Sequence, residues 1–127
     1  MTPMIDDLEV IGFAHRTALR AWLVANHGTS PGVWVRIARR GSGMPSVSFE
    51  DVLEQGLCFG WSESQRIRGD EVSYLQRFTP RRRKGTASER NQKLVLRLIA
   101  DGEMTQSGLA VLRMNEGGAP TREPDPG

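Results

Sequence analysis

Hydrophobic positions along the first part of the chain switch between strand-like and helical spacing. Residues 8–13 form a short apolar stretch that predicts an edge strand, and the apolar positions after it recur at helical spacing until Gly28. In residues 33–39, Val33, Val35 and Ile37 fall on one face and β-branched side chains dominate, which predicts a strand. The pattern therefore predicts a strand, a helix and a second strand.

The middle of the chain predicts a second helix followed by a hairpin. Ser48 with Asp51 three residues later resembles a capping box, and the helical stripe that follows ends at Gly60. Residues 61–68 and 72–78 are strand-like and flank a Gly-Asp-Glu turn, which indicates a β-hairpin.

Two further helices are expected near the end of the chain, with Ser88 and Thr105 as their N-caps. The element order is then β-α-β-α-β-β-α-α. We expect residues 8–116 to form a single small α+β domain, with a mostly antiparallel sheet packed with helices. Residues 117–127 contain no apolar side chain larger than alanine, so we expect a disordered C-terminal tail.

Composition and charge are typical of one ordinary globular domain. The 127 residues carry a formal net charge of +2 and a sequence pI of about 9.2, a milder basic bias than dedicated nucleic-acid binders show. Residues 1–9 carry acids where a signal peptide needs basic residues, and no run reaches the roughly 18 apolar residues of a membrane span. We therefore expect a cytoplasmic protein without a membrane span.

The sequence carries no recognisable catalytic, metal or cofactor motif. Its two histidines and one cysteine lack metal-ligand spacing, and neither a phosphate-binding glycine loop nor a nucleophile elbow is present. Cys58 lies between Leu57 and Phe59, which favours a buried structural thiol over a cysteine–histidine nucleophile. We expect no metal and no cofactor, and an enzyme ranks last among the functions considered.

Distinctive residues concentrate between positions 58 and 91. Cys-Phe-Gly-Trp at 58–61, Tyr-Leu-Gln-Arg-Phe-Thr-Pro-Arg at 74–81 and Ser-Glu-Arg-Asn at 88–91 resemble the signature of the bacterial YdeI/OmpD-associated family. The resemblance extends over about residues 10–116. It implies a link to protection from bacteriocins and antimicrobial peptides and to an outer-membrane porin, and it supplies no catalytic residues.

The chain departs from that family pattern at two places. Ser62-Glu63-Ser64 stands where the family usually has Ile-Asp-Gly, and Ala87 stands where it usually has tryptophan. A role of that tryptophan ring, in packing or in stacking on a ligand, therefore does not carry over to this chain.

The polar residues of the same segment predict an anion-binding site. A hairpin over 61–78 is expected to bring Arg66 near Arg77, with Arg81 just beyond, and the helix that begins at Ser88 would add free backbone N–H groups. Aromatic walls are expected from Trp61, Tyr74 and Phe78. The predicted ligand-binding residues are Trp61, Glu63, Arg66, Tyr74, Arg77, Arg81, Ser88 and Asn91.

Other interpretations compete with that site. The arginines can instead pair with neighbouring acids or be solvated, as structural ion-pair networks commonly are. The favoured function is a non-enzymatic module that recognises a phosphate- or carboxylate-bearing small molecule or protein partner. The alternatives are an interaction adaptor in an envelope or peptide-stress response, and weak, non-specific nucleic-acid binding through the basic residues 81–84.

Overall fold

The helices and strands follow the predicted order with one added strand. The computed structural model describes residues 3–82 and 88–114. Its strands are β1 (Met4–Ile5), β2 (Leu8–Gly12), β3 (Val33–Ala38), β4 (Trp61–Arg68) and β5 (Ser73–Pro80). Its helices are α1 (Arg16–Asn26), α2 (Phe49–Phe59), α3 (Glu89–Ala100) and α4 (Gln106–Leu112). The predicted α+β class is confirmed, whereas the expected tail at 117–127 lies outside the described residues.

Over the described residues the strands form one sheet in the order β1-β2-β3-β5-β4. Strand β2 runs parallel to β3 because α1 crosses between them, and the other neighbours pair antiparallel. The prediction that residues 8–13 form an edge strand is wrong, because β1 pairs with the outer side of β2. The turn between them, at Asp6 and Asp7, has φ values of 51° and 63°, as a two-residue hairpin turn requires.

The helix ends contain the caps that the sequence indicated. The Ser48 hydroxyl accepts from the amide of Asp51, and the Asp51 carboxylate accepts from the amide of Ser48, so the capping box of α2 is complete. Gly60 ends the same helix with a φ of 77°, a conformation that favours glycine. Ser88 and Thr105 cap α3 and α4.

The two faces of the sheet are covered differently. Buried side chains from α1, α2, α3 and α4 pack with Val33, Val35 and Phe78 on one face. The opposite face, which we call the open face, carries a smaller apolar cluster around the fully buried Trp34, whose indole nitrogen donates to the carbonyl of Ile5 at 3.1 Å. Since side chains alternate along a strand, the open face also carries Arg36 and Arg77.

Candidate functional site

The β4–β5 hairpin does not bring Arg66 and Arg77 together. Arg77 lies opposite Trp34 on the open face, with its guanidinium carbon 5.9 Å from the centre of the Trp34 ring. Arg66 pairs with Gln76, the neighbour of Arg77, and its guanidinium stacks over Tyr74 on the helix-covered face. The predicted convergence of these two arginines is therefore wrong.

A one-residue bulge in β4 is the physical reason. Glu63 lies opposite Phe78, but Arg66 lies opposite Gln76, so three steps along β4 match two steps along β5. Without the extra residue, Arg66 would lie opposite Leu75 and share the open face with Arg77. A bulge shifts the register by one residue and so sends every later side chain to the other face.

Arg77 and Arg81 both line a cavity of about 540 Å³ at the end of the β4–β5 hairpin that lies away from its turn. Among the described residues this cavity contains three arginines, three hydroxyl groups and no acid. We call it the three-arginine cavity. Its lining residues are Ser62, Ser64, Gln65, Arg77, Thr79, Pro80, Arg81 and Arg82.

Two arginines of this cavity have contacts that fix a ring-stacked side chain or a backbone amide. Arg77 is half-buried against the indole of Trp34, and a guanidinium over an aromatic ring is attracted by the ring's π electrons. The backbone amide of Arg81 donates to the carbonyl of Gly60 at 3.0 Å, which extends the hairpin by one residue. The side-chain Nε of Arg81 is buried and finds no acceptor within residues 3–82 and 88–114.

Among the described residues, no acid forms an ion pair with Arg66, Arg77 or Arg81. The ion pairs that the described residues contain involve Arg16, Arg36 and Arg97. Arg66, Arg77 and Arg81 contribute to none of those pairs. The interpretation that each predicted arginine pairs with its own acid therefore finds no support in the described part of the chain.

Two predicted residues belong to the core or its edge rather than to the cavity. Trp61 is 1% exposed and packs edge-on against Trp22, while its indole nitrogen donates to the carbonyl of His27 at 3.3 Å. Glu63 lies opposite the buried Phe78 on the helix-covered face, and its Oε2 is buried without a hydrogen-bond partner among the described residues. The expectation that Trp61 and Phe78 form walls of the site is wrong, because both rings fill the core.

The helix N-terminus that was expected to complete the site is occupied by its own cap. The Ser88 hydroxyl accepts from the amide of Asn91 at 3.3 Å, so that amide is not free for a ligand. Neither residue lines the three-arginine cavity. Residues 83–87, which join the cavity to this helix and include the Ala87 position, lie outside the described residues.

Sequence reasoning missed several cavity residues that a period-two pattern would have found. Arg77, Thr79 and Arg81 alternate with Phe78 and Pro80, so their side chains share one face of β5. Ser62 lies directly opposite Thr79 and adds a second hydroxyl there. Ser64 and Gln65 lie in the bulge, whose position no sequence pattern reveals.

Cys58 is confirmed as a buried thiol, with no exposed surface. Burial raises its pKa to about 11, and the nearby Arg20 only partly opposes this shift. A thiol with such a pKa is a poor nucleophile at neutral pH. Within the described ranges, no group of three histidine, cysteine, aspartate or glutamate side chains has the arrangement of a metal site.

A family model described as "Domain of unknown function (DUF8412)" matches residues 11–111, which is most of the chain. The chain belongs to this family. The matched range begins within β2 and ends within α4, so it contains both the hairpin and the three-arginine cavity. No curated protein and no solved structure matches the chain. In the part of the chain that is described, no helix has the length and apolar character needed to cross a bilayer.

Proposed function

We propose that this protein is a non-enzymatic binding module that recognises a phosphate- or carboxylate-bearing ligand in the three-arginine cavity. The observation that carries the proposal is the convergence of Arg77, Arg81 and Arg82 with three hydroxyl groups on one cavity that has no acid among its described lining residues. Arginine presents planar pairs of N–H donors that fit phosphate and carboxylate oxygens, and hydroxyls add further donors.

The state of Arg81 supports an anionic occupant. A buried donor without an acceptor costs about 1–3 kcal/mol, and the Arg81 Nε is such a donor among the described residues. An anion that accepts hydrogen bonds from both Nε and one Nη of Arg81 would supply the missing acceptor. Arg77 needs little reorganisation to take part, since Trp34 already orients it.

Binding fits this set of groups better than catalysis does. Guanidinium groups remain protonated in proteins and so do not act as bases. Among the described lining residues no histidine, aspartate or glutamate is present to activate Ser62, Ser64 or Thr79 as a nucleophile. Among these described residues the cavity therefore offers donors for an anion but no general base for a reaction.

The test is a titration of wild-type protein and Arg77→Ala with pyrophosphate and, separately, with citrate. A charged hydrogen bond contributes about 1.5–3 kcal/mol, so we expect the substitution to weaken binding of at least one of the two anions more than about tenfold. Loss of the contact with Trp34 should lower the free energy of unfolding by only about 0.5–1 kcal/mol.

Lys93→Ala is the matched control, because Lys93 is an exposed cation of α3 that does not line the cavity. It should leave both affinities within about twofold. Equal losses in Arg77→Ala and Lys93→Ala would indicate a general charge effect and would contradict the proposal. Binding of neither anion by the wild type, or an unchanged affinity in Arg77→Ala, would contradict it as well.

A further inference from the structure

A second basic groove lies on the other side of the hairpin and shares no residue with the three-arginine cavity. It consists of two adjoining cavities of about 570 and 500 Å³, which have Arg39, Arg66 and Tyr74 in common. We call it the arginine–ring groove. Its arginines and aromatic residues are Arg39, Arg40, Phe49, Arg66, Arg68 and Tyr74.

The position of Arg66 is the main feature of this groove. Its guanidinium carbon is 4.1 Å from the centre of the Tyr74 ring and 5.6 Å from the centre of the Phe49 ring. A guanidinium stacked on a ring keeps its N–H donors in its own plane, directed away from the ring. Arg66 is exposed and forms no ion pair in the described residues, so these donors are oriented and open to a ligand.

Two acids, Asp70 and Glu71, line the larger of the two cavities, against four arginines over the whole groove. The Asp70 carboxylate accepts from the Ser73 hydroxyl and pairs with Arg36, on the open face of the sheet. The hydrogen bond from Ser73 holds the pKa of Asp70 below its usual value, so this carboxyl stays ionised and engaged there. The smaller of the two cavities has three arginines and no acid among its described lining residues.

Both rings of the groove are anchored in the core, and the Arg66 guanidinium covers one face of Tyr74. Phe49 and Tyr74 are half-buried and pack against the main core, which fixes their orientation. Arg39 is fixed too, because its backbone amide donates to the carbonyl of Val72 and its Nε to the carbonyl of Asp70. Flat rings beside fixed arginines form a surface on which a nucleobase can stack while its phosphate meets guanidinium groups.

We propose that the arginine–ring groove binds a nucleotide, with the phosphate held by Arg39, Arg40 and Arg66 and the base stacked beside Phe49. Each half of the groove is within the size range of small-ligand pockets, roughly 300–1,000 Å³. The same chemistry occurs in a free nucleoside phosphate and in a single-stranded nucleic acid. Stacking accepts any base, so binding is independent of base sequence.

The experiment measures binding of a fluorescein-labelled single-stranded dT 12-mer by anisotropy and binding of AMP by calorimetry. The variants are Arg66→Lys, which keeps the charge but loses the stacked planar fork, and Phe49→Leu, which removes a ring. Each should weaken binding of the preferred probe at least about fivefold. If binding were only charge attraction, Arg66→Lys would bind as the wild type does.

The salt dependence of binding further separates recognition by the stacked guanidinium from charge attraction alone. The logarithm of the affinity for a single strand falls with the logarithm of salt concentration, with a slope of about −0.7 per phosphate neutralised. Arg66→Lys should keep the wild-type slope, since it keeps the charge, while its affinity is lower at every salt concentration. Lys93→Ala, which removes an exposed cation that lines neither the groove nor the three-arginine cavity, should stay within about twofold of the wild type.

The two probes identify the source of the nucleotide. If the wild type binds AMP and Arg66→Lys binds it more weakly, the ligand of the groove is a free nucleotide. If the wild type binds the 12-mer but not AMP, the ligand is a single-stranded nucleic acid. Binding of neither probe, or wild-type affinity in Arg66→Lys, would overturn the proposal. A loss in Lys93→Ala as large as that in Arg66→Lys would also overturn it. Arg66 is exposed, so its variant tests the groove even if Phe49→Leu does not fold.

Discussion

The backbone carbonyl of Cys58 accepts two hydrogen bonds from Thr105, one from its amide at 3.1 Å and one from its hydroxyl. The same hydroxyl accepts from the amide of Gly108 as the N-cap of α4. Thr105 therefore caps α4 and also links the start of α4 to the C-terminal end of α2. This contact sets the distance between α2 and α4 and leaves room for only a hydrogen atom at Gly108.

We expect Gly108→Ala to destabilise the fold strongly. A methyl group at this position would lie 2.3 Å from the carbonyl oxygen of Cys58 and 2.6 Å from that of Leu57, so the helix backbones would have to separate. Overpacking of this kind costs about 1–3 kcal/mol and outweighs the roughly 1 kcal/mol by which alanine favours a helix. Urea unfolding should show a net loss of up to about 2 kcal/mol.

Gly28→Ala is the matched control for this substitution. A methyl group there meets no heavy atom of the described residues within 4 Å, and Gly28 does not have a positive φ. Its free energy of unfolding should stay within about 0.5 kcal/mol of the wild type or rise slightly. Equal stability of the two variants would contradict the close approach of α2 and α4.

We expect Cys58 to be unreactive in the native protein. Burial raises the pKa of its thiol to about 11, whereas an unfolded chain has a cysteine pKa of about 8.5. At pH 8 the native thiolate fraction is then lower by roughly two orders of magnitude, and the side chain is also inaccessible. A chromogenic disulfide reagent should label about one thiol per chain in guanidinium and almost none beforehand. Rapid native labelling at pH 8 would contradict the burial of Cys58.

Local signals predicted the helix ends well because they depend on neighbouring residues only. The Ser48–Asp51 pair, the αL conformation of Gly60 and the Thr105 cap all occur within one helical turn. Gly60, one of the residues that carry the resemblance to the YdeI/OmpD-associated pattern, has such a structural role. Its presence therefore reports on the end of a helix more than on ligand chemistry.

The candidate site was harder to predict because it depends on register. The strand assignment of residues 61–68 is confirmed, but the single extra residue between Glu63 and Arg66 has no sequence signal. That residue determines on which face of the sheet Arg66 lies. As a result, the one site that was expected is replaced by the three-arginine cavity and the arginine–ring groove. Arg77 and Arg81 remained together because β5 is regular and their spacing is even.

The N-terminal strand β1 escaped prediction for a different reason. Two residues give no periodicity, and Met4–Ile5 is a strand only because the turn at Asp6 and Asp7 folds it onto β2. Its position also depends on a distant contact, the hydrogen bond from the Trp34 indole to the carbonyl of Ile5. Such long-range contacts override local propensity and are not visible in a single sequence.

We expect a carboxylate between the helices to make the fold less stable in acid. Burial tends to raise the pKa of Glu103, but the hydrogen bonds and charge of Arg16, with a hydrogen bond from Gln55, outweigh it and the pKa lies below its usual value. A lowered folded-state pKa means that the stabilisation is present above the unfolded pKa of about 4.3 and is lost as the pH falls through the folded value.

Glu103→Gln measures this contribution directly. Partly exposed ion pairs contribute about 0.2–1 kcal/mol, so at pH 7 the variant should have a free energy of unfolding lower by up to about 1 kcal/mol. The difference should shrink as the pH falls below the unfolded pKa of about 4.3 and then through the lower folded-state pKa, because the wild-type carboxylate becomes protonated while glutamine does not titrate. Glu9→Gln, at an exposed position of β2, should show little difference at pH 7. If the gap between Glu103→Gln and the wild type did not narrow at all as the pH fell below about 4.3, the glutamine would be disturbing packing, since the loss of a charge interaction must diminish as the carboxyl becomes neutral.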